Sequence, residues 1–221
     1  MKHIKINRWA GFMATLMLLS SVHYAQAQYD PKAKEILDAM SEKYQQIGSF
    51  ESDFSYSMEN PTQSISEDFE GEIVVQGDKY RLNMGGQEIV NDGETVWTYL
   101  EEVNEVNIDN YDPAEGDISP TQIYNAYQRG FTYVYLEDQT EGGTTYHVVD
   151  LLPENTDNQF FKIRLHISEE GKTLKKWQIF DKNGTIYTYE ISNFNPDAEI
   201  TGDVFSFDTS KYENVEVVDL R

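Results

Sequence analysis

Residues Glu88 to Tyr99 read EIVNDGETVWTY, and this stretch decides the fold. Asn91-Asp92-Gly93 is a tight-turn signal, because these residues tolerate the positive φ that hairpin turns require. β-formers flank it, Ile89 and Val90 before and Thr95 to Tyr99 after, so the stretch is a hairpin. It carries large aromatic side chains and no reactive motif, and the rest of the chain repeats that pattern.

Working outward, the period of two continues on both sides. Towards the N-terminus, Tyr80, Leu82 and Met84 alternate with Lys79, Arg81 and Asn83, and Phe69, Gly71, Ile73 and Val75 alternate with Glu70, Glu72 and Val74. Phe50, Phe54 and Tyr56 mark a further strand. Towards the C-terminus, strands are predicted at Val103 to Ile108, Phe131 to Leu136, Tyr146 to Leu152 and Phe161 to Ile167. A hairpin over Asp181-Lys182-Asn183-Gly184 and a closing strand at Val204 to Phe207 follow. About eleven or twelve strands at such spacing indicate a mainly β (α+β) chain with one face of an antiparallel sheet buried, as a barrel or strongly curved sheet.

Two helices interrupt the strands. Asp30-Pro31 opens the first with a capping carboxylate and a proline at its first position. Ile36, Leu37, Met40, Tyr44 and Ile47 share one face, and Gly48 ends it. Ser119-Pro120 is predicted to cap the second, with Ile123, Tyr124 and Tyr127 as its stripe and Gly130 as its stop. Between the strands and this helix, residues 107–117 form an acidic, turn-rich loop.

Residues 1–27 read as a cleaved secretory signal. Lys2, Lys5 and Arg8 precede the apolar run Ala10 to Leu19, and Ala25-Gln26-Ala27 supplies a small-x-small cleavage site. The run is too short for a stable membrane span. Residues 28–221 are then expected to form one exported domain. That region keeps 14 of the 17 basic residues against 39 acidic ones, a net charge of −25. Such a surface repels nucleic acid and anionic headgroups, so neither nucleic-acid binding nor stable membrane insertion is expected. The chain has no cysteine, so its core must hold it without disulfides, and the cysteine that anchors a bacterial lipoprotein is absent.

Reactive chemistry is sparse. His3 and His23 fall in the signal, and His147 and His166 both lie in strands. His166 alternates with Lys162 and Arg164, which predicts a solvated strand face. With no cysteine, two histidines do not make a zinc site. No phosphate-binding, dinucleotide, serine-hydrolase or zinc-protease motif occurs. Carboxylate pairs have no specificity among 39 acids, and Asp109 to Asp112, continuing to Glu115 and Asp117, lacks calcium-loop spacing. The expectation is a non-enzyme without cofactor or metal.

Aromatic residues make up 13% of the chain, 15 Tyr and 11 Phe among them, far more than loops need. A curved sheet that two helices cover loosely leaves a cavity for an apolar ligand. Burial is worth ~0.8 kcal/mol per methylene, so about ten methylenes of an acyl chain give roughly 8 kcal/mol before ordering costs. That suffices for reversible micromolar-class capture.

Several segments in order resemble one family. They are the export signal, the Asp92-Gly93-Glu94-Thr95-Val96-Trp97-Thr98-Tyr99 hairpin, the Ser119-Pro120 helix, Val204-Phe205-Ser206-Phe207, and Val215 to Asp219. Together they resemble the LolA family of periplasmic outer-membrane lipoprotein carriers. The resemblance implies an unclosed antiparallel β-barrel of about eleven strands with a helical lid over a hydrophobic cavity. It also implies a monomer that accepts acylated lipoproteins from an inner-membrane ABC release complex and passes them to an outer-membrane acceptor. One departure concerns the lid. Family members carry an arginine after the strand matching Gly71 to Gln76 that helps hold the lid closed; here Gly77 and Asp78 follow, and Arg81 is expected to point outward.

The expected acyl-chain site comprises Phe54, Ile73, Val75, Tyr80, Leu82, Trp97, Ile123 and Tyr127, the apolar residues of the inward strand face and lid. The alternatives are a periplasmic protein of the same fold that senses lipid or lipoprotein, and a hydrolase working through an acidic pair.

Overall fold

A computed structural model describes residues 29–112 and 120–221. The expected signal, Ser119, Glu115 and Asp117 lie outside the described residues. The helix α1 spans Pro31–Ile47. Asp30 caps it, accepting from the amides of Lys32 (2.8 Å) and Ala33 (3.4 Å), which satisfies two of the free N–H groups of the first turn. Its other oxygen accepts from the Tyr135 amide at 3.1 Å, which ties the helix start to the sheet. Gly48, at φ +69°, ends the helix where an L side chain would be strained.

Six strands follow: β1 (Ser49–Asn60), β2 (Ile65–Gln76), β3 (Lys79–Met84), β4 (Gln87–Asn91), β5 (Thr95–Leu100) and β6 (Glu105–Asn110). Then come β7 (Phe131–Glu141), β8 (Thr144–Pro153), β9 (Phe160–Ser168), β10 (Leu174–Asp181), β11 (Ile186–Asn195) and β12 (Glu216–Asp219). All twelve form one sheet in the order β12-β6-β5-β4-β3-β2-β1-β11-β10-β9-β8-β7. Two meanders, β1 to β6 and β7 to β11, are therefore joined by the antiparallel β1–β11 pair. The end strands β12 and β7 do not pair, so the barrel is unclosed.

The Asn91-Asp92-Gly93 hairpin joins β4 to β5. Asn91 Oδ1 accepts from the Gly93 amide at 2.7 Å, and Asp92 Oδ1 accepts from Glu94 (2.9 Å) and Thr95 (2.8 Å), so the loop carries its own hydrogen bonds. Gly93 sits at φ +95°.

The structure corrects two elements. Residues 204–207 are turn and irregular chain rather than strand, and the final strand is β12, which pairs in parallel with β6 from Glu216 to Asp219. The expected second helix is instead a run of turns over residues 120–125 and a 3₁₀ turn at Ala126–Gln128. A stretch of about ten residues rich in Tyr, Asn and Gln has too little propensity to repay helix nucleation. Packing holds it in place, since Ile123, Ala126 and Tyr127 are all buried.

The core lies on the concave face of the sheet. Ala33, Leu37 and Met40 of α1 are fully covered, as are Val149, Leu151, Ile163, Leu165 and Ile167 of β8 and β9. The segment 120–130 extends this cover towards β1–β3, where Phe54, Ile73, Val75, Tyr80 and Leu82 belong to the same cluster. Together α1 and the segment 120–130 form the lid.

Candidate functional site

A narrow apolar cavity of about 50 Å³ lies between lid and sheet. Phe50, Ser52 and Phe54 of β1, Ile73 of β2 and Leu82 of β3 form one wall, and Leu174, Trp177, Tyr189 and Ile191 of β10 and β11 form the other. Tyr44 of α1 and Pro120, Ile123 and Tyr124 of the lid segment close it. No carboxylate, lysine, arginine or histidine is part of this lining, so the cavity offers apolar surface and no acid–base pair. Among the described residues no group of three or more His, Asp or Glu side chains converges as a metal site would require.

Phe54 owes its place to Gly71. The two are cross-strand partners, and a Cβ at Gly71 would fall 2.5 Å from the Phe54 ring and 2.7 Å from the Asn83 carbonyl oxygen. Only glycine lets the ring lie flat over its neighbour while β2 and β3 bend this closely.

The eight expected residues separate into three groups. Phe54, Ile73, Leu82 and Ile123 line the cavity. Val75, Tyr80 and Tyr127 are buried in the adjoining core and do not reach it. Trp97 is on the other face of the sheet. Leu82 stands opposite Ile89 and Ile89 opposite Thr98, so Thr98 shares the concave face with Leu82, and Trp97, one residue away, points to the convex side. Its cross-strand neighbours there are Val90 and Ile108. The expected set omitted Tyr44, Phe50 and Tyr124, which periodicity places on apolar stripes or strands, and Trp177 and Tyr189, which join the site only because β11 pairs with β1.

An aromatic stack and side-chain hydrogen bonds join the lid segment to α1. Tyr124 stacks on Tyr44 with ring centroids 4.5 Å apart and planes at 4°. The Tyr127 hydroxyl donates to Asp38 Oδ1 at 2.7 Å, and Gln128 Nε2 reaches Ser41 Oγ at 3.4 Å. Asp38 also accepts from Lys34 Nζ at 2.5 Å. Burial works against its charge, yet the hydrogen bonds from Lys34 and Tyr127 hold the Asp38 carboxyl below its ordinary range. Burial raises the phenol of Tyr44, which accepts from the Leu174 amide at 3.2 Å, and pushes that of Tyr124 up to about 12. Both rings are therefore neutral in the lid. Gly77 occupies the β2–β3 turn at φ +60° and offers no side chain to the lid, where the resemblance implied an arginine.

Arg81 does face the convex side, but it is not free there. Its guanidinium donates to the Val204 carbonyl at 2.9 Å and pairs with Glu88, and Glu88 accepts from the Tyr212 hydroxyl at 2.6 Å. Tyr212 packs on Tyr99 (4.5 Å) and Phe207 (4.8 Å). These contacts fasten the segment after β11 over the outer surface of β3–β5. His166 also departs from expectation. It is 7% exposed rather than solvated, with Val148 and Lys176 as cross-strand neighbours. Burial first, then the charges of Lys176 and Arg164, push its imidazole down to about 4. His147 places Nδ1 2.6 Å from Asp138 Oδ1 at the outer end of β7 and β8.

Residues 45–208 match the family model described as outer membrane lipoprotein carrier protein LolA. A curated outer-membrane lipoprotein carrier protein from Nitrosomonas europaea is 28% identical over 134 residues, 60% of this chain and 62% of its own length. The chain thus spans about three fifths of that relative. A crystal structure of an uncharacterized conserved protein from Thermus thermophilus superposes with a TM-score of 0.50 at 12% identity, over 85% of this chain and 99% of that one. A LolA superfamily protein from Nitrosomonas europaea superposes with a TM-score of 0.43 at 12% identity, over 79% and 97% of the respective chains.

Proposed function

This chain belongs to the LolA family of outer-membrane lipoprotein carrier proteins, and on that premise we propose that it holds lipoprotein acyl chains between its lid and its concave sheet. The observation that carries the proposal is a cavity lined wholly by uncharged, mostly apolar side chains beneath a cover that a tyrosine stack and the Tyr127–Asp38 hydrogen bond help to fasten. As it stands, the cavity of about 50 Å³ holds one or two water-sized groups, so cargo must displace the lid. The magnitudes permit this. The Tyr44–Tyr124 stack and the Tyr127–Asp38 hydrogen bond together are worth about 2–3 kcal/mol. Ten buried methylenes return roughly 8 kcal/mol. An acyl chain that takes over the apolar contacts of Ile123, Ala126 and Tyr127 as it displaces the lid leaves mainly this latch to be broken, and ordering costs reduce the remainder enough to keep binding reversible.

In this reading the protein works in the periplasm and carries lipoproteins from an inner-membrane ABC release complex to an outer-membrane acceptor. The expected secretory signal supports the location, and no helix among the described residues is long and apolar enough to cross a membrane. Its chemistry is binding and release rather than catalysis. The test is to mix the purified protein with a triacylated lipoprotein without detergent and to look for a soluble complex, then to deplete the protein in cells and follow lipoprotein sorting. No complex and no sorting defect would overturn the proposal. Binding without a sorting defect would fit the sensory alternative instead.

A further inference from the structure

The closed cavity is one end of a longer apolar surface. Trp177 and Tyr189, which line it, stack with centroids 4.7 Å apart and planes at 5°, and Tyr56 packs on Tyr189 at 4.9 Å. Cross-strand pairing continues the row outward: Met58 stands opposite Tyr187, and Tyr187 opposite Ile179. These six side chains occupy the concave face of β1, β11 and β10, and all remain partly exposed; Tyr56, Met58, Ile179 and Tyr187 lie outside the lining of the closed cavity. None of them is charged, in a chain with 39 acidic residues; Glu67, opposite Met58, marks the outer rim.

We propose that this aromatic shelf is a second part of the acyl-chain site, receiving the length of chain that the space under the lid does not hold. The inference rests on the carrier reading. Continuity decides the occupant. A chain seated against Trp177 and Tyr189 inside the cavity meets the same rings from the outside without crossing a polar group. The flat faces of Tyr56, Tyr187 and Tyr189 and the unbranched side chain of Met58 suit a flexible methylene chain, which needs area and no directed hydrogen bond. The shelf makes affinity depend on chain length, with the head of the chain under the lid and its tail on the shelf.

A fully buried methylene strengthens binding about fourfold, and a partly covered one about twofold, so three or four on the shelf give roughly tenfold. The experiment compares octanoyl, lauroyl and palmitoyl esters of N-acetylcysteine as probes for the full chain and for a Met58→Glu, Tyr187→Glu variant. The expected result is roughly tenfold weaker palmitoyl binding in the variant, with octanoyl binding unchanged. Should the charged pair melt below the parent, Met58→Ser and Tyr187→Ser carry the same comparison. Equal palmitoyl affinity in parent and variants overturns the shelf and leaves the carrier reading standing, with all the chain held under a displaced lid. Failure of every probe to bind the parent overturns both.

Discussion

Replacing Gly71 with alanine tests the packing that shapes the cavity. The new Cβ would sit 2.5 Å from the Phe54 ring and 2.7 Å from the Asn83 carbonyl oxygen, both far inside contact distance. Neither neighbour can yield cheaply. The carbonyl belongs to β3, paired with β2 from Gly71 to Gln76, and the Phe54 ring, 4% exposed, can move only by entering the narrow cavity it lines. Overpacking of this kind costs ~1–3 kcal/mol, and two simultaneous clashes place Gly71→Ala at about 2–3 kcal/mol. For a chain of this size that lowers Tm by about 4–12 °C. Denaturant unfolding should show a lower midpoint with an unchanged slope. A double-mutant cycle with Phe54→Leu separates the two clashes. Shortening the ring relieves one and leaves the carbonyl, so the double variant should recover about 1 kcal/mol relative to additivity. Because the displaced ring moves into the cavity, acyl-probe affinity should fall in Gly71→Ala and return partly in the double variant. A Gly71→Ala stability within ~0.5 kcal/mol of the parent, or strict additivity in the cycle, would refute the reasoning.

Two further predictions concern the lid and the outer face. Tyr127→Phe removes the hydrogen bond to Asp38 while keeping the buried ring, which should weaken lid closure by about 1 kcal/mol and raise the association rate of an acyl probe about fivefold. Stopped-flow fluorescence checks it, and an unchanged rate would remove this contact from the latch. His166, held down to about 4, gives the second. The unfolded chain takes up its proton near pH 6.5 and the native state does not until about pH 4, so stability is lost as pH falls through that window, by up to about 3 kcal/mol. Asp38 and Asp138, whose carboxyls are held low, keep their contribution through the window and lose it only below their unfolded value near pH 4. Unfolding free energy measured at intervals from pH 7 to pH 4.5 should therefore fall in the parent and stay flatter in His166→Gln; parallel curves would contradict the assignment.

What the sequence disclosed about the site follows from what alternation can and cannot encode. In β2 and β3 apolar residues alternate with charged ones, so Ile73 and Leu82 could be assigned inward from the chain alone. In β5 Val96, Trp97 and Tyr99 are apolar on both faces, and period two selects neither; the register Leu82–Ile89–Thr98 settles it, and that register is a property of three strands. His166 failed in the opposite sense. Lys162 and Arg164 announced a wet face, but β9 lies inside the sheet, where the stems of Lys176 and Arg164 can cover a ring without burying their own charges. In the lid segment the spacing of Ile123 and Tyr127 was the spacing of a helix, and the contacts survived although the helix did not, because burial against α1 needs those side chains at that distance and not a continuous ladder. Trp177 and Tyr189 lie more than a hundred residues from Phe54 and meet it through the single β1–β11 junction. The cavity is the least encoded feature of all. Its residues are those of an ordinary core, and what distinguishes it is about 50 Å³ of unfilled volume, set jointly by a glycine that lets β2 and β3 close up, a ring laid over it, and a lid segment that runs as turns rather than as a helix. A filled core would have needed one or two larger side chains at these positions, and their absence leaves room that an acyl chain can widen.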